Sequence, residues 1–311
     1  MSRLEAPIDK PVLVLLGPTA VGKTSLSLRI AEEYSCEIVG LDSMQIYRYM
    51  DIGTAKATVE ERRQVPHHLI DIVDPDEEYD VARYVADAAK ACRQIIGRGK
   101  TPLLVGGTGL YLKAMLQGLF EAGGDDEGVR GKLKKRLAEE GREVLYSELQ
   151  ACDPESALRL HPNDTQRLLR ALEIYEVTGM PWSRHLQQQT REPVLTNFMQ
   201  IGLNCDREIL YQRINLRVGL MVEQGLLAEV EKLMAMGYDG ALNSMQSIGY
   251  RHMVNFLNNA WGWDEALALL ARDTRRYAKR QLTWFGKDSS IKWFAAEQGD
   301  DVCRAIDQFM K

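Results

Sequence analysis

The segment that most limits how this chain can fold is a loop near its beginning that follows a short apolar run. Residues 17–24, with the sequence GPTAVGKT, match the pattern G-x-x-x-x-G-K-[ST]. The run Val12–Leu16 before them reads as a strand buried on both faces, and residues 23–34 have the apolar spacing of a helix. In such a unit, the N–H groups of the loop and the helix N-terminus bind phosphate. The sequence therefore predicts a polyphosphate site at this turn.

Each part of this loop has an expected role. The Lys23 ammonium supplies a positive charge, and the Thr24 hydroxyl is placed to bind Mg²⁺, which we expect as the cofactor. The pattern alone does not distinguish ATP or GTP from an isoprenyl pyrophosphate. The residues expected to bind the polyphosphate are Gly17, Pro18, Thr19, Ala20, Val21, Gly22, Lys23 and Thr24.

Further apolar runs alternate with segments of helical periodicity in the first third of the chain. We expect strands at 37–41, 69–73 and 102–105, and helices at 81–96 and 110–119. Strands that alternate with helices are typical of a doubly wound α/β fold with a mainly parallel sheet. This is the fold class that we predict for the core.

The composition changes near residue 121, where glycines and acidic residues lead into a long charged helical stretch at 129–151. The next predicted strand is at 198–203. We therefore expect an α/β core in two parts, 1–121 and 194–311, and a mostly helical insertion at 122–193.

The last third of the chain is predicted to hold two long helices and one strand. The helices cover 207–236 and 264–285, and the strand covers 291–294. Arg213 and Arg217 lie four residues apart on the first helix. They form either a fork for a pyrophosphate or part of a solvated helix face.

Composition excludes some classes of protein. The net charge of −5 means that any contact with RNA must come from a local basic surface. The five cysteines show no C-x-x-C spacing, which argues against a zinc site or a disulfide framework and suits a reducing compartment. The early apolar run is far shorter than the roughly 20 residues that span a bilayer. We expect a cytoplasmic protein without a membrane partner.

Two short segments are expected to face the crevice at the carboxyl ends of the strands. Asp42 and Ser43 follow the strand at 37–41, and the glycine-rich residues 106–109 follow the next predicted strand end. Asp42 is either a general base, a ligand of Mg²⁺ through water, or a cap for the following segment. Thr108 either donates to a bound phosphate or nucleotide, or belongs to a tight turn.

A basic segment near the end of the chain suggests contact with nucleic acid. Residues 275–287 contain no acid, and the aromatic residues Trp284 and Phe285 lie among the basic ones. The basic residues are Arg275, Arg276, Lys279, Arg280 and Lys287. Such a stripe can track a phosphate backbone, although a solvated helix face has the same pattern. A second basic pair, Arg167 and Arg170, lies in the insertion.

Taken in this order, these segments resemble the bacterial tRNA dimethylallyltransferase family, whose members are also called tRNA isopentenyltransferases. The resemblance covers most of the chain, and it departs from the family pattern at Tyr49 and Gly219, where Gly and Asp are common. The segments that carry it are GPTAVGKT (17–24), DSMQIY (42–47), MDIGTAK (50–56), PHHLID (66–71), LVGGTGLYLKA (104–114), HPND-QR-LRALE (161–173), RI--RV--M (213–221), SIGYRH (247–252) and YAKRQLTWF (277–285).

The resemblance implies a reaction. A dimethylallyl group passes from dimethylallyl pyrophosphate to the exocyclic amine of the tRNA adenosine just 3′ of the anticodon, and pyrophosphate leaves. The target base must leave its stack to be reached. By the resemblance, Asp42 is the general base, and Thr19 and Arg217 bind the oxygen that bridges to the leaving pyrophosphate. Lys23, Thr24 and Mg²⁺ hold the remaining charge.

The resemblance also implies which residues contact the anticodon stem-loop of tRNA. The segment 247–252 carries little charge and would otherwise read as a loop. We expect the enzyme to act as a monomer. The implied tRNA contacts are Asp42, Ser43, Met44, Gln45, Thr108, Arg130, Gln166, Arg167, Leu168, Leu169, Arg170, Ser247, Ile248, Gly249, Tyr250, Arg251, His252, Lys279, Arg280, Gln281, Trp284 and Lys287.

Two other functions share the phosphate loop. A small-molecule or nucleotide kinase would use the same loop, Mg²⁺ and Asp42, but it leaves the basic segment 275–287 unexplained. An ATP-driven switch or an RNA-binding module without transfer chemistry needs a Walker B carboxylate on a strand. The predicted strand 102–105 ends in two glycines instead.

Overall fold

The computed structural model describes residues 6–119, 127–188 and 192–311. Within these residues, six strands form one parallel sheet in the order β3-β2-β4-β1-β5-β6. The strands are β1 (Val12–Leu16), β2 (Cys36–Leu41), β3 (His67–His68), β4 (Thr101–Gly106), β5 (Phe198–Asn204) and β6 (Lys292–Ala295).

Helices connect these strands and make up the rest of the described regular structure. They are α1 (Lys23–Glu33), α2 (Val59–Gln64), α3 (Val81–Gly97), α4 (Gly109–Gln117), α5 (Glu127–Glu140), α6 (Arg142–Cys152), α7 (Pro154–Arg159), α8 (Thr165–Thr178), α9 (Trp182–Gln188), α10 (Arg207–Glu223), α11 (Leu226–Ala235), α12 (Tyr250–Leu257), α13 (Trp263–Phe285) and α14 (Gly299–Met310). The predicted α/β fold class with a parallel sheet is confirmed.

The predicted strand at 69–73 is wrong. Leu69 and Asp71 have φ angles of 62° and 57°, in the left-handed region, so the chain cannot stay extended there. The paired strand is the two-residue β3 just before, and Val73 forms only an isolated bridge with Tyr47. The apolar residues at 69–73 are not a strand because the backbone turns at two of them.

Two predicted long helices are each divided at a glycine. The helix expected over 207–236 ends as α10, and α11 starts after Gly225, whose φ is 99°. The charged stretch at 129–151 divides into α5 and α6 at Gly141, whose φ is 87°. A positive φ cannot continue a right-handed helix, so each glycine begins a new direction of the chain.

The described chain divides into two compact units. The first comprises Met1–Leu116 and Pro193–Lys311 and holds the whole sheet. The second, Gln117–Glu192, holds helices α5 to α9, which pack their leucines into a core of their own. The insertion predicted at 122–193 begins in residues 120–126, which lie outside the described part.

The core of the first unit explains why β1 forms. All five of its side chains are buried, as expected for a central strand of a parallel sheet that is covered on both faces. Leu13 and Leu15 pack with Ile30 of α1 and Ile201 of β5 in one apolar cluster. Each fully buried side chain of this kind contributes about 1.5–3 kcal/mol. This packing fixes where the phosphate loop leaves the sheet. In the described ranges, no helix is long and apolar enough to cross a membrane.

A buried carboxylate on β2 ties the edge of the sheet together. Glu37 is 4% exposed. Its oxygens accept hydrogen bonds from Arg98 at 2.6 Å and from the ring of His68 at 2.7 Å, and Lys100 lies 3.3 Å away. Burial by itself raises the pKa of Glu37, but these three partners outweigh burial and lower the pKa to about 2. The carboxylate is therefore charged in the folded protein near neutral pH.

We expect Glu37→Gln to lower the free energy of unfolding by about 2 kcal/mol at pH 7. Breaking a fully buried ion pair costs about 3–5 kcal/mol, and the smaller value reflects the half-exposed Arg98. The stability contributed by the Glu37 carboxylate is present above its ordinary pKa of 4.5 and is lost as the pH falls toward 2. The difference between the two proteins should therefore shrink over that range.

Urea unfolding at a series of pH values measures this difference. Glu231→Gln, which changes an exposed glutamate on α11, is the matched control and should cost less than about 0.5 kcal/mol. Equal losses in the two variants at pH 7 would contradict the role of Glu37.

Candidate active site

The phosphate loop leaves the buried strand β1 and enters α1 through a glycine. Gly22 is the residue before the helix, has a φ of 109°, and offers no side chain to cap the first turn. The free N–H groups of that turn are what an anion can bind. The Lys23 Nζ donates to the carbonyls of Gly17 at 2.9 Å and Pro18 at 2.8 Å. Burial lowers the pKa of Lys23 to about 8.

Two arginines of α10 reach the loop from the opposite side. Arg217 donates from Nη1 to the Thr19 hydroxyl at 3.3 Å, and Arg213 donates to the Val21 carbonyl at 3.2 Å. Burial lowers the pKa of Arg217, yet a guanidinium stays charged near neutral pH. Arg217 lines the cavity described below, whereas Arg213 supports the loop and also lies 3.6 Å from Glu297. The solvated helix face proposed as an alternative therefore does not describe these two residues.

Asp42 stands at the end of β2, at the mouth of the same crevice. Its Oδ1 accepts hydrogen bonds from the backbone N–H of Met44 at 2.8 Å and of Gln45 at 3.3 Å. Its Oδ2 accepts none from the residues that the structure describes. One oxygen therefore caps the following turn, and the other is available to a bound molecule. The capping role is therefore compatible with either of the ligand-facing roles considered from the sequence.

A cavity of about 730 Å³ joins these groups. Thr19, Lys23, Asp42 and Arg217 provide its polar wall, together with the exposed hydroxyl of Thr24. Its apolar lining comes from Leu28, Ile38, Ile70, Val218, Met221, Ile248 and Leu270. All lining residues belong to the first unit. A charged wall beside an apolar lining suits a ligand with a phosphate head and a hydrocarbon tail.

The glycine-rich segment after β4 is hydrogen-bonded to the residues on either side of Asp42, which are Leu41 and Ser43. The N–H groups of Gly107 and Thr108 both donate to the Leu41 carbonyl at 3.1 Å. The Thr108 hydroxyl in turn accepts from the Ser43 N–H at 3.2 Å. Thr108 therefore fixes the Asp42 turn, and its oxygen already has a partner before any ligand binds.

One residue that sequence reasoning missed supports the segment 50–56. The Glu229 carboxylate accepts hydrogen bonds from the N–H groups of Asp51, Ile52 and Gly53 at 2.8–3.2 Å. The Tyr250 hydroxyl donates to it at 2.5 Å. Gly53 lines the cavity, so Glu229 shapes the wall from outside. A glutamate on a helix gives no sequence signal for this role, because its three partners lie about 176 residues away.

The segment 247–252 divides between the cavity and the interior. Ser247 and Ile248 line the cavity. Tyr250 and His252 are fully buried, and burial lowers the pKa of His252. Arg251 pairs with Asp273 of α13 at 2.5 Å. The side chains of Tyr250 and His252 therefore hold this segment against its neighbours.

The predicted RNA-contacting segment forms the last part of α13 and the turn after it. Lys279, Arg280, Trp284 and Lys287 are exposed, and Arg280 also lines the cavity. Gln281 is buried and faces the phosphate loop. These four exposed residues therefore form one surface. Gln281, which was also predicted to contact tRNA, is not part of it.

In the second unit, the predicted tRNA contacts lie on α5 and α8. Arg130, Gln166 and Arg167 are exposed, and Arg167 pairs with Asp164 at 2.6 Å. Arg170 is bound to Glu173 at 3.0 Å. The side chains of Leu168 and Leu169 are buried in the core of this unit, so only their neighbours present polar groups to solvent.

The two departures from the family pattern have different structural settings. Tyr49 has a φ of 67°, a conformation that glycine adopts without strain, and its ring stacks on Tyr238 with centroids 6.5 Å apart. Gly219 lies in α10 with open space around its Cβ position. A side chain could therefore replace Gly219 without a clash, whereas Tyr49 uses an aromatic contact to hold a strained turn.

Two family models match this chain. The model described as IPP transferase matches residues 45–288, and the model described as Isopentenyl transferase matches residues 10–71. Together they cover the phosphate loop, the Asp42 turn, α10 and α13.

Curated relatives match over nearly the whole length. The tRNA dimethylallyltransferase of Desulfotalea psychrophila is 51% identical over 304 residues, which cover 98% of this chain and 97% of that protein. The tRNA dimethylallyltransferase 2 of Syntrophus aciditrophicus is 45% identical and covers 98% of both chains.

Solved structures show the same fold. The full-length tRNA isopentenylpyrophosphate transferase of Bacillus halodurans matches with a TM-score of 0.72 at 40% identity, and 97% of each chain is covered. A eukaryotic dimethylallyltransferase acting on tRNA matches with a TM-score of 0.79 at 31% identity, over 93% of this chain and 74% of that one. The chain therefore belongs to the IPP transferase family, the family of enzymes named tRNA dimethylallyltransferase.

Proposed function

We propose that this chain transfers the dimethylallyl group of dimethylallyl pyrophosphate to the exocyclic amine of the tRNA adenosine next to the anticodon on its 3′ side. The observation that carries the proposal is one cavity in which an anion-binding loop faces a carboxylate with a free oxygen. Thr19, Lys23, Asp42 and Arg217 all line it, and Arg217 donates to the Thr19 hydroxyl. The names of the relatives support the same substrates.

The pyrophosphate head of the donor binds in the phosphate loop. Lys23 leaves the two loop carbonyls and meets the phosphate oxygens, while the N–H groups of the first turn of α1 face them. Thr19 and Arg217 meet the oxygen that bridges phosphorus and the allylic carbon. In the described residues, no cluster of three or more His, Cys, Asp or Glu side chains could hold a metal by itself.

The residues present nevertheless fit a magnesium ion. Mg²⁺ keeps most of its waters and usually takes one or two protein ligands together with substrate phosphates. The Thr24 hydroxyl is exposed to the cavity and supplies such a ligand, and Asp42 can contribute through water. When bound, Mg²⁺ supplies positive charge that offsets the charge of the pyrophosphate.

In the transfer itself, a nitrogen–carbon bond forms as the allylic carbon–oxygen bond breaks. The proton of the attacking amine passes to the free Oδ2 of Asp42. The electron pair of the broken bond leaves with the pyrophosphate, where Thr19, Lys23 and Arg217 stabilise the growing charge. The amine, the carbon and the bridging oxygen must lie in line, so positioning supplies much of the rate.

The tRNA side of the proposal rests on α13. Lys279, Arg280 and Lys287 are exposed, and Arg280 reaches the cavity, so a phosphate backbone on this surface brings a flipped adenine to the mouth. Arg130, Gln166 and Arg167 on the second unit are further contacts in the proposal. One copy of the chain supplies every group named, which suits a monomer, and the five free cysteines suit the reducing cytoplasm.

The first experiment tests the donor. Purified enzyme is incubated with tRNA, Mg²⁺ and either dimethylallyl pyrophosphate or ATP, and the tRNA nucleosides are analysed by mass. We expect a dimethylallyl adduct on one adenosine with the prenyl donor only, because ATP contains no dimethylallyl group to transfer. ATP hydrolysis that depends on tRNA, without a prenyl adduct, would sink the proposal.

The second experiment tests Asp42. Asp42→Asn keeps an oxygen to cap Met44 and Gln45 but removes the base. We expect turnover to fall by about 10²–10⁴-fold while tRNA affinity and the melting temperature stay close to those of the wild type. Near wild-type turnover would leave Asp42 as a cap alone.

The third experiment tests the α13 surface. Replacing Lys279, Arg280 and Lys287 together by Ala should weaken tRNA binding. It should also make the slope of log affinity against log salt shallower by roughly two units, at about 0.7 per lost phosphate contact. Fluorescence anisotropy with a labelled anticodon stem-loop, over a salt series, measures both quantities.

The matched control removes the same charge elsewhere. Lys10, Arg63 and Lys90 are exposed, lie outside α13 and do not line the cavity. Their triple replacement by Ala should leave the salt slope within about half a unit of the wild type, since these side chains make no proposed phosphate contact. Equal slopes in both triple variants would show that the α13 residues form only a solvated face.

A further inference from the structure

We propose that Gln281 is a positioning residue that holds Thr19 in place for the leaving group, by tying α13 to the phosphate loop. The inference rests on the proposed function, in which Thr19 meets the bridging oxygen. It differs from the sequence-based expectation that Gln281 contacts tRNA.

The first observation is a pair of hydrogen bonds across the crevice. The Gln281 Oε1 accepts from the backbone N–H of Thr19 at 2.9 Å, and its Nε2 donates to the Gly107 carbonyl at 3.1 Å. Gln281 is 6% exposed. One amide thus bridges the phosphate loop and the segment after β4, and both of its polar ends are in use. Gln281 also lines the cavity, and the protein already holds its amide in one orientation before any RNA binds.

The second observation is the closeness of α13 to the glycine-rich segment. A Cβ atom on Gly107 would lie 2.0 Å from the Gln281 Nε2, and one on Gly109 would lie 2.2 Å from the Trp284 Nε1. Real Cβ atoms do not approach other atoms so closely. These two glycines therefore make room for side chains of α13 instead of a ligand. The Gln281 amide is clamped between two backbone segments and has little freedom to turn.

The orientation of Thr19 follows from this clamp. Because its N–H donates to Gln281, Thr19 serves the donor through its hydroxyl, which meets Arg217 at 3.3 Å. Loss of the Gln281 bond would free the peptide between Pro18 and Thr19 to rotate. The Thr19 hydroxyl and Arg217 would then no longer point at the bridging oxygen of the donor. Fixed hydrogen-bond donors stabilise the growing charge only while they point at it.

The bridge lies beside the proposed tRNA surface. Arg280 is the residue next to Gln281, is exposed and lines the cavity. Gln281 therefore holds Thr19 from the same part of α13 that presents Arg280 to tRNA in the proposal.

The test uses Gln281→Met, which keeps the volume of the side chain and loses both hydrogen bonds. We expect kcat to fall at least tenfold, while KM for dimethylallyl pyrophosphate and the Kd for the anticodon stem-loop stay within about twofold. Losing an interaction that forms mainly in the transition state lowers kcat and leaves KM nearly unchanged. Gln281→Glu keeps the acceptor toward Thr19 and should retain more of kcat than Gln281→Met.

Gln200→Met is the matched control. Gln200 is a glutamine that is 3% exposed on β5, and its amide donates to Ser290 at 2.6 Å and Asp288 at 3.3 Å, outside the cavity. Both variants lose a buried amide, so both should lower the melting temperature, and all rates are measured below both transitions. We expect kcat of Gln200→Met to stay within twofold of the wild type.

A second readout does not depend on transfer. Inorganic pyrophosphate resembles the released leaving group and carries the charge that Thr19 is placed to meet. Titration calorimetry with pyrophosphate and Mg²⁺ should therefore show at least threefold weaker binding to Gln281→Met and no change for Gln200→Met. If the wild type forms no dimethylallyl adduct, the proposed function fails, and this titration still decides the role of Gln281.

Three results would overturn the positioning role. One is equal losses of kcat in Gln281→Met and Gln200→Met, which would make the amide a structural support only. Another is a Gln281→Met variant with unchanged kcat, weaker stem-loop binding and a shallower salt slope, which would make Gln281 an RNA contact. The third is unchanged pyrophosphate affinity in Gln281→Met.

Discussion

The candidate site depends on the register of three neighbouring parallel strands. Leu16 of β1 and Leu41 of β2 both pair with Gly106 of β4, so all three strands end in one row. The next residues along each strand are the first of the phosphate loop, Asp42, and Gly107. Gly106 has to be a glycine, because a Cβ atom there would lie 2.0 Å from the Leu41 carbonyl. A one-residue slip of any pair would separate the carboxylate from the anion-binding loop.

Sequence reasoning succeeded where the determinants are local. The phosphate loop, β1 and α1 follow from a motif and from apolar periodicity within about twenty residues, and Asp42 follows from its place after a strand. It was wrong at 69–73, where apolar residues resemble a strand but the left-handed backbone at Leu69 and Asp71 interrupts it. The positive φ of Leu69 is imposed by contacts with the surrounding structure, so the local sequence does not predict it.

Long-range contacts account for what the sequence could not indicate. Glu229 binds backbone groups about 176 residues away, and Gln281 binds Thr19 across 262 residues. Both residues have ordinary helical surroundings in the sequence, and Gln281 was expected to contact tRNA because the family resemblance implied it. On α13, Lys279 and Arg280 are exposed to solvent, whereas Gln281 is buried against the sheet unit. Only the rotation of the packed helix decides which residue lies on which face.

The close packing of α13 against residues 107 and 109 makes two segments that are distant in sequence depend on each other. Even a methyl group at residue 109 would collide with the Trp284 indole where it now lies. Trp284 is 41% exposed, so a larger residue at 109 would displace the ring toward solvent and away from the glycine-rich segment. The packing of α13 on the glycine-rich segment therefore depends on residues 109 and 284 together.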